Sequence, residues 1–273
     1  METEPIINFL FDQADGRSKK LTKHGRAHGQ RGLQRFRHLS EKVHALHPVS
    51  ELEGAEISIA IYLHDLGRMF GSRPHYVMGA LLVYLLLALY RVPHQSRYRI
   101  AYAIRYHAPE HVLAGKLKYA IQAWLIAIDK SLDGAKRVRK EEREELEALA
   151  ERGSIREYCS CPALGPHILR GSGTSHLGDH AHHHLVNIAL CDPQPRFETR
   201  VTENEEIIVE LIMGLDTRFA TQELLFALFG PRFVALLKCF EYLGIRADIV
   251  LIVNGVREHY IESEGVFNLV ETE

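Results

Sequence analysis

Apolar positions in the first half of the chain recur at helical spacing. Leu33, Phe36, Leu39, Val43 and Leu46 mark one amphipathic helix, which Pro48 ends. Ser50 with Glu53 three residues on is a capping-box pattern that opens a second helix, running to His64-Asp65. Tyr76 to Tyr90 is almost wholly apolar and predicts a helix from about Pro74 to Val92, buried on nearly all sides and stopped by Pro93. Further helices are predicted from about Ser96 to His107, because Pro109 disfavours helix at Ala108, then over Leu117–Lys130 and over 136–152. Residues 1–15 read as a short leading helix or arm.

The pattern breaks over 153–184, where Gly153, Pro162, Gly165, Pro166, Gly171, Gly173 and Gly178 crowd together and predict an irregular connection. From about 185 the period changes. Phe197–Val201 and Glu206–Met213 read as strands around a turn at Glu203-Asn204. Residues 217–244 read as helix with a break at Gly230-Pro231 and a stop at Gly244. Asp248–Val253 is a β-branched strand followed by the hairpin signal Asn254-Gly255. The expected class is mainly α: a helical domain over 1–152, a His/Gly-rich connection over 153–184, and a small α+β domain over 185–273. That last domain carries no catalytic cluster and reads as an interaction, dimerisation or substrate-covering module.

Composition narrows the function classes. With 273 residues, 46% hydrophobic and 25% charged, the chain can bury a real core. A net charge of -2 gives no global signal for nucleic acid or membrane. The apolar stretch 76–90 is shorter than the ~18 residues of a spanning helix. Cys159, Cys161, Cys191 and Cys239 form no regular framework, and with no signal peptide the expected compartment is the cytoplasm. One local excess stands out: Arg17 to Lys42 holds nine Lys and Arg against the single acid Glu41, enough to attract an anion such as phosphate.

The 17 histidines carry the candidate chemistry. His24 and His28 are four apart and would share a helix face, with Thr22 as a cap. In Leu63-His64-Asp65-Leu66-Gly67, an imidazole and a carboxylate stand side by side, and they converge if the helix ends there with Gly67 in the left-handed conformation. His75 falls at a helix start and His107 at a helix end. Asp129 closes a helix that is apolar almost throughout, where a carboxylate is costly unless paired or bound to metal. A salt bridge to Lys130 is disfavoured because sequence neighbours point apart on a helix, so a ligand role is expected. Together His28, His64, Asp65, His75, His107 and Asp129 offer nitrogen and oxygen donors from several helix ends, a way of building a mono- or dinuclear metal site in a bundle. The run Cys159-Ser160-Cys161 with His176, His180, His182, His183 and His184 matches no standard zinc spacing.

The order His, His-Asp, His, His, Asp resembles the HD-domain superfamily of metal-dependent phosphohydrolases. The Thr-x-His-Gly-x-x-His opening is matched by Thr22 to His28, an "LHDIG"-like core by Leu63 to Gly67, a "GALLAY"-like segment by Gly79 to Tyr84, and an "ILADK"-like segment by Ile126 to Lys130. A family ending of the "FLG…VINGT" kind is similar to Tyr242-Leu243-Gly244 and Ile252 to Val256. The resemblance implies an HD-domain helical bundle in which His28, His64, Asp65 and Asp129 hold one divalent metal ion (Mn, Fe, Mg, Co, Ni or Zn) and His75 and His107 a second, with Asp65 bridging. Ala108 stands where the family often has a further ligand, which His111 or His24 could replace. Asp65, Arg68 and Lys130, with Arg26, would serve hydrolysis of a nucleotide or other small phosphoester. The alternatives are an HD-type di-iron oxygenase and a non-catalytic metal- or nucleotide-binding regulator. Expected partners are the phosphorylated substrate and a second copy of the chain, with no membrane and no nucleic acid.

Overall fold

The computed structural model describes residues 5–17, 25–71, 75–131, 134, 138, 140–153, 178–190, 193–263 and 266–270. By internal contacts it divides into two compact units. One comprises Met1–Leu132, Arg196–Leu211 and Pro231–Asp248; the other comprises Asp133–Pro195, Ile212–Gly230 and Ile249–Glu273. Each unit gathers segments that are not consecutive along the chain.

The first unit is built on helices α1 (Pro5–Arg17), α2 (Arg26–Lys42), α3 (Glu51–Leu63), α4 (His75–Leu89), α5 (His94–Arg105), α6 (Pro109–Leu113) and α7 (Ala120–Lys130), with a 3₁₀ turn over Leu66–Phe70 between α3 and α4. Local signals place several of these ends. The Ser50 hydroxyl accepts from the Glu53 amide at 3.3 Å and opens α3. Pro93 stands at the N-cap of α5, and Pro109 opens α6, a short helix the sequence did not suggest. The core lies between α2, α3, α5 and α7. Leu33, Phe36 and Leu39 point into it, and Trp124 packs edge-on against Phe36 at 5.3 Å. Glu56 of α3 is buried and grips the Arg99 guanidinium of α5 through both carboxylate oxygens.

The α4 helix is not buried on nearly all sides. Gly79, Val83 and Leu87 face inward, while Val77, Leu81, Leu85 and Leu89, each four residues from the last, lie exposed along one side. Among the described residues no single helix is long and apolar enough to cross a membrane.

Beyond these come α8 (Lys140–Glu151), α9 (Gly178–Ala189), α10 (Gln222–Tyr242) and five strands: β1 (Arg196–Val201), β2 (Ile207–Leu215), β3 (Arg246–Val253), β4 (Val256–Ser263) and β5 (Val266–Val270). The chain is mainly helical with one five-stranded sheet in its C-terminal part, ordered β1-β2-β3-β4-β5. Strand β3 pairs antiparallel with β4, Val253 opposite Val256, and β4 with β5. Asn254 (φ 52) and Gly255 (φ 83) both take positive φ, the two-residue turn their sequence predicts. Two expectations fail here. Gly230-Pro231 does not break α10, which runs through Pro231. The irregular connection ends earlier than 184, since α9 begins at Gly178. Cys159, Cys161 and His176 lie outside the described residues, as do Thr22, His24 and Pro74.

Candidate metal centre

Every one of the six expected ligand residues sits at or near a helix end in the first unit, and every one is buried. His28 lies in the first turn of α2. His64 is the C-cap of α3, and Asp65 opens the 3₁₀ turn. His75 begins α4, His107 follows the C-cap of α5, and Asp129 is the penultimate residue of α7. A helix end lets neighbouring residues such as His64 and Asp65 leave the 100° spacing of a regular helix and converge.

Convergence depends on two close backbone approaches. A Cβ added to Gly29, beside His28, would meet the Tyr62 carbonyl oxygen at 2.9 Å. One added to Gly67 would meet the His75 carbonyl oxygen at 1.9 Å and the Gly79 amide at 2.5 Å. Gly67 therefore serves as a contact point for α4. It does not take the left-handed conformation expected of it; Gly71, at φ 116, takes positive φ instead.

His28 Nε2 lies 3.1 Å from Asp129 Oδ1 and 3.8 Å from Asp65 Oδ2. His64 Nε2 lies 3.3 Å from Asp129 Oδ1 and 3.4 Å from Asp65 Oδ2. The imidazoles form a file, with His64 5.4 Å from His28, His107 5.2 Å from His64, and His75 5.6 Å from His107, ring centre to ring centre. Three sets of donor atoms each fall within 4.8 Å of one another: His28, His64 and Asp65; His64, His107 and Asp129; Asp65, His75 and His107.

Backbone carbonyls fix two of the rings. His64 Nδ1 donates to the Ile61 oxygen at 2.8 Å, and His107 Nδ1 donates to the Ile104 oxygen at 2.7 Å. A carbonyl only accepts, so the proton of each neutral ring sits on Nδ1 and the lone pair on Nε2. His64 Nε2 is then buried between two carboxylates with no well-directed hydrogen bond. Two acceptors facing Nε2 call for a proton or a metal ion between them, and imidazole nitrogen with carboxylate oxygen suits a divalent metal of intermediate hardness. The donor set therefore fits the expected metal.

Charge follows the same logic. Burial opposes a charged His64, yet Asp65 and Asp129 raise its pKa from 6.5 to about 10. Burial, reinforced by Lys130, holds His107 well below 6.5, so that ring is neutral. Burial would raise Asp129, but Lys130 and His64 keep it well below the usual carboxylate range.

Arg68 and Lys130 each hold one aspartate of the centre. Arg68 Nε is 2.6 Å from Asp65 Oδ1, and Lys130 Nζ is 2.6 Å from Asp129 Oδ2. The Asp129–Lys130 pair thus forms despite adjacency, because Lys130 follows the last turn of α7 and its long stem folds back. Each aspartate gives one oxygen to a cation and turns the other toward the imidazoles. Arg26 is exposed and donates to Asn8 Oδ1 at 3.0 Å. Arg35, from the same basic stretch, binds the Ser131 carbonyl. His111 joins none of the three donor sets; its ring packs against Tyr106 and Tyr76 at 5.2 and 5.7 Å.

No family model, no curated protein and no solved structure matches the chain. The geometry is what bears on function.

Proposed function

We propose that the chain is a metal-dependent phosphohydrolase of HD type, acting on a nucleotide or another small phosphoester. The observation that carries this reading is His64 Nε2, buried and lacking a directed partner, between the carboxylates of Asp65 and Asp129 and next to His28 and His107. His28, His64, Asp65 and Asp129 would hold one ion, and His75 and His107 with Asp65 a second. A divalent ion such as Mn, Fe, Mg, Co, Ni or Zn supplies Lewis acidity and lowers the pKa of its water toward ~7.

The protein's own side chains do the rest. Nδ1–H donation from His64 and His107 keeps both rings oriented and their Nε2 atoms available. Arg68 holds Asp65 through Nε, leaving its terminal nitrogens to meet a phosphoryl oxygen. Lys130 holds Asp129 with one N–H and has two more to donate. Both are only partly buried, 17% and 16% exposed, so a substrate anion can reach them from solvent.

The test is a phosphatase and phosphodiesterase panel, including bis-p-nitrophenyl phosphate, run across these metals with metal content measured on the same sample. Hydrolysis is expected, and Asp65→Ala should lower it by at least about 100-fold while circular dichroism stays unchanged. Unaltered hydrolysis in that variant overturns the assignment. Oxygen uptake by the iron-loaded protein in place of ester cleavage would replace it with an oxygenase.

A further inference from the structure

A file of aromatic rings leads from the surface to the candidate metal centre. Tyr98, Tyr102 and Tyr106 follow one another at four-residue spacing along α5 and past its C-terminus, so they share one side of the helix. Their ring centres are 6.3 Å apart from Tyr98 to Tyr102 and 4.6 Å from Tyr102 to Tyr106. Tyr119 adds an edge contact to Tyr102 at 5.1 Å. Past Tyr106 the file continues through His111 to Tyr76, whose ring lies 5.8 Å from His107 and 4.2 Å from His75. Tyr98 is 48% exposed, and Tyr102, Tyr106, Tyr119 and Tyr76 are half-buried, so their rings are neither core nor freely mobile.

Cations line this file. Lys118 Nζ stands 5.6 Å from the Tyr102 ring centre and 5.3 Å from that of Tyr119. Lys116 Nζ is 5.6 Å, and the Arg105 guanidinium 5.1 Å, from Tyr106. From Arg91 to Lys118 the sequence holds Arg91, Arg97, Arg99, Arg105, Lys116 and Lys118 against the single acid Glu110. The near-neutral balance of the whole chain hides this excess.

The surface is also held in place from beneath. Gln122 is fully buried; it accepts from the Lys118 amide at 3.0 Å and donates to the carbonyls of Tyr106 and Lys116 at 2.9 and 3.1 Å. The Tyr242 hydroxyl donates to the Lys118 carbonyl at 2.8 Å. The loop bearing both lysines is thereby tied to the end of α5 that bears Tyr106.

The geometry points to a binding track for single-stranded nucleic acid, with bases stacking on Tyr98, Tyr102 and Tyr106 and backbone phosphates meeting Arg105, Lys116 and Lys118. Successive aromatic rings with cations standing over them are what an unpaired strand requires, since a base takes the ring face while the displaced cation meets the phosphate of the same step. Several platforms in file favour a strand over one nucleotide. As a guide for substrate, the track rests on the phosphohydrolase reading; as a binding surface, it does not.

The test measures binding without turnover. Fluorescence anisotropy of a labelled single-stranded decamer is followed with the full chain in EDTA, which removes any metal and hence hydrolysis. Binding is expected. Tyr98→Ala with Tyr102→Ala should weaken it by at least about 10-fold, and Phe at both positions should restore it, because the π-face remains. Lys116→Ala with Lys118→Ala should flatten the slope of log affinity against log salt by roughly 1.4, about 0.7 per lost contact. Thermal unfolding of each variant confirms that it folds. Absence of binding, equal binding by the tyrosine-to-alanine variant, equal binding of the corresponding duplex, or full competition by AMP at the same nucleotide concentration would each overturn the proposal. Failure of the phosphoesterase panel with decamer binding intact would remove the enzyme reading and leave the track standing.

Discussion

His64 shows how much of the centre is decided by one hydrogen atom. Its Nδ1 proton is committed to the Ile61 carbonyl, so Nε2 must face Asp65 and Asp129 with a lone pair, a proton or a metal. In metal-free protein the proton takes that place, which is why the pKa rises to about 10. A folded-state pKa above the unfolded 6.5 contributes stability that is complete below 6.5 and is lost as pH climbs toward 10. His107 has the opposite sign: burial depresses its pKa, so its contribution is present above 6.5 and lost as pH falls below it. The chelator-treated protein should therefore be most stable near pH 6.5, with urea midpoints falling on both sides. A flat profile from pH 6.5 to 9.5 in EDTA would show that the carboxylates do not hold a proton on His64. The residue types at this centre were legible in sequence because they stand at helix ends. The fixing of the His64 and His107 rings by a carbonyl three residues back was not, since any helix-end histidine has such a carbonyl and only packing decides whether the ring turns to it.

Among the elements, legibility tracked how local the cause was. The start of α3 at Ser50 and the turn at Asn254-Gly255 are set within four residues, and both stand where the sequence puts them. Gly67 was misread because its role is tertiary. The helix-stop reading asks only about φ, whereas the structure places its Cα against the first turn of α4. The expected burial of α4 on nearly all sides fails for a related reason: an all-apolar helix gives no periodic signal, so its exposed side cannot be told from its packed one. Gly230-Pro231 reads as a break in sequence, yet α10 passes through it. The contact at Gly67 has a measurable consequence. Gly67→Ala must push His75 away from Asp65, with an expected loss of about 1–3 kcal/mol and a drop in metal affinity. Gly54→Ala, inside α3 and with only an ordinary 3.6 Å contact to Val49, should instead stabilise by about 0.5–1 kcal/mol. Urea unfolding with metal titration of both variants checks the contrast; equal metal affinity in Gly67→Ala and the parent would mean that α4 is free to shift without moving His75.

At the scale of the molecule, the convergence of His28, His64, Asp65, His75, His107 and Asp129 was readable because each stands at or near the end of a helical segment. The tyrosine track was not, because its cations vanish into a net charge of -2 and its rings pair only once α5 and the 114–119 loop are folded. Nor were the two compact units, since β2, α10 and β3 each begin in one and end in the other. That continuity bears on stability. Trp124, the one tryptophan, is buried in the unit that carries the candidate metal centre, so its fluorescence follows that unit. Far-UV circular dichroism follows the whole chain. Elements shared by both units should tie their unfolding into one cooperative event. A metal at about 100 times its dissociation constant adds about 2.7 kcal/mol to the folded state, roughly 5 °C in a chain of this size. Both signals should then rise together by that amount on adding the activating ion and fall back together with EDTA. A shift in the Trp124 transition that leaves a second, later or earlier far-UV transition in place would show that the units unfold separately. No shift in either signal, with ion present at that excess, would remove the metal from the centre altogether.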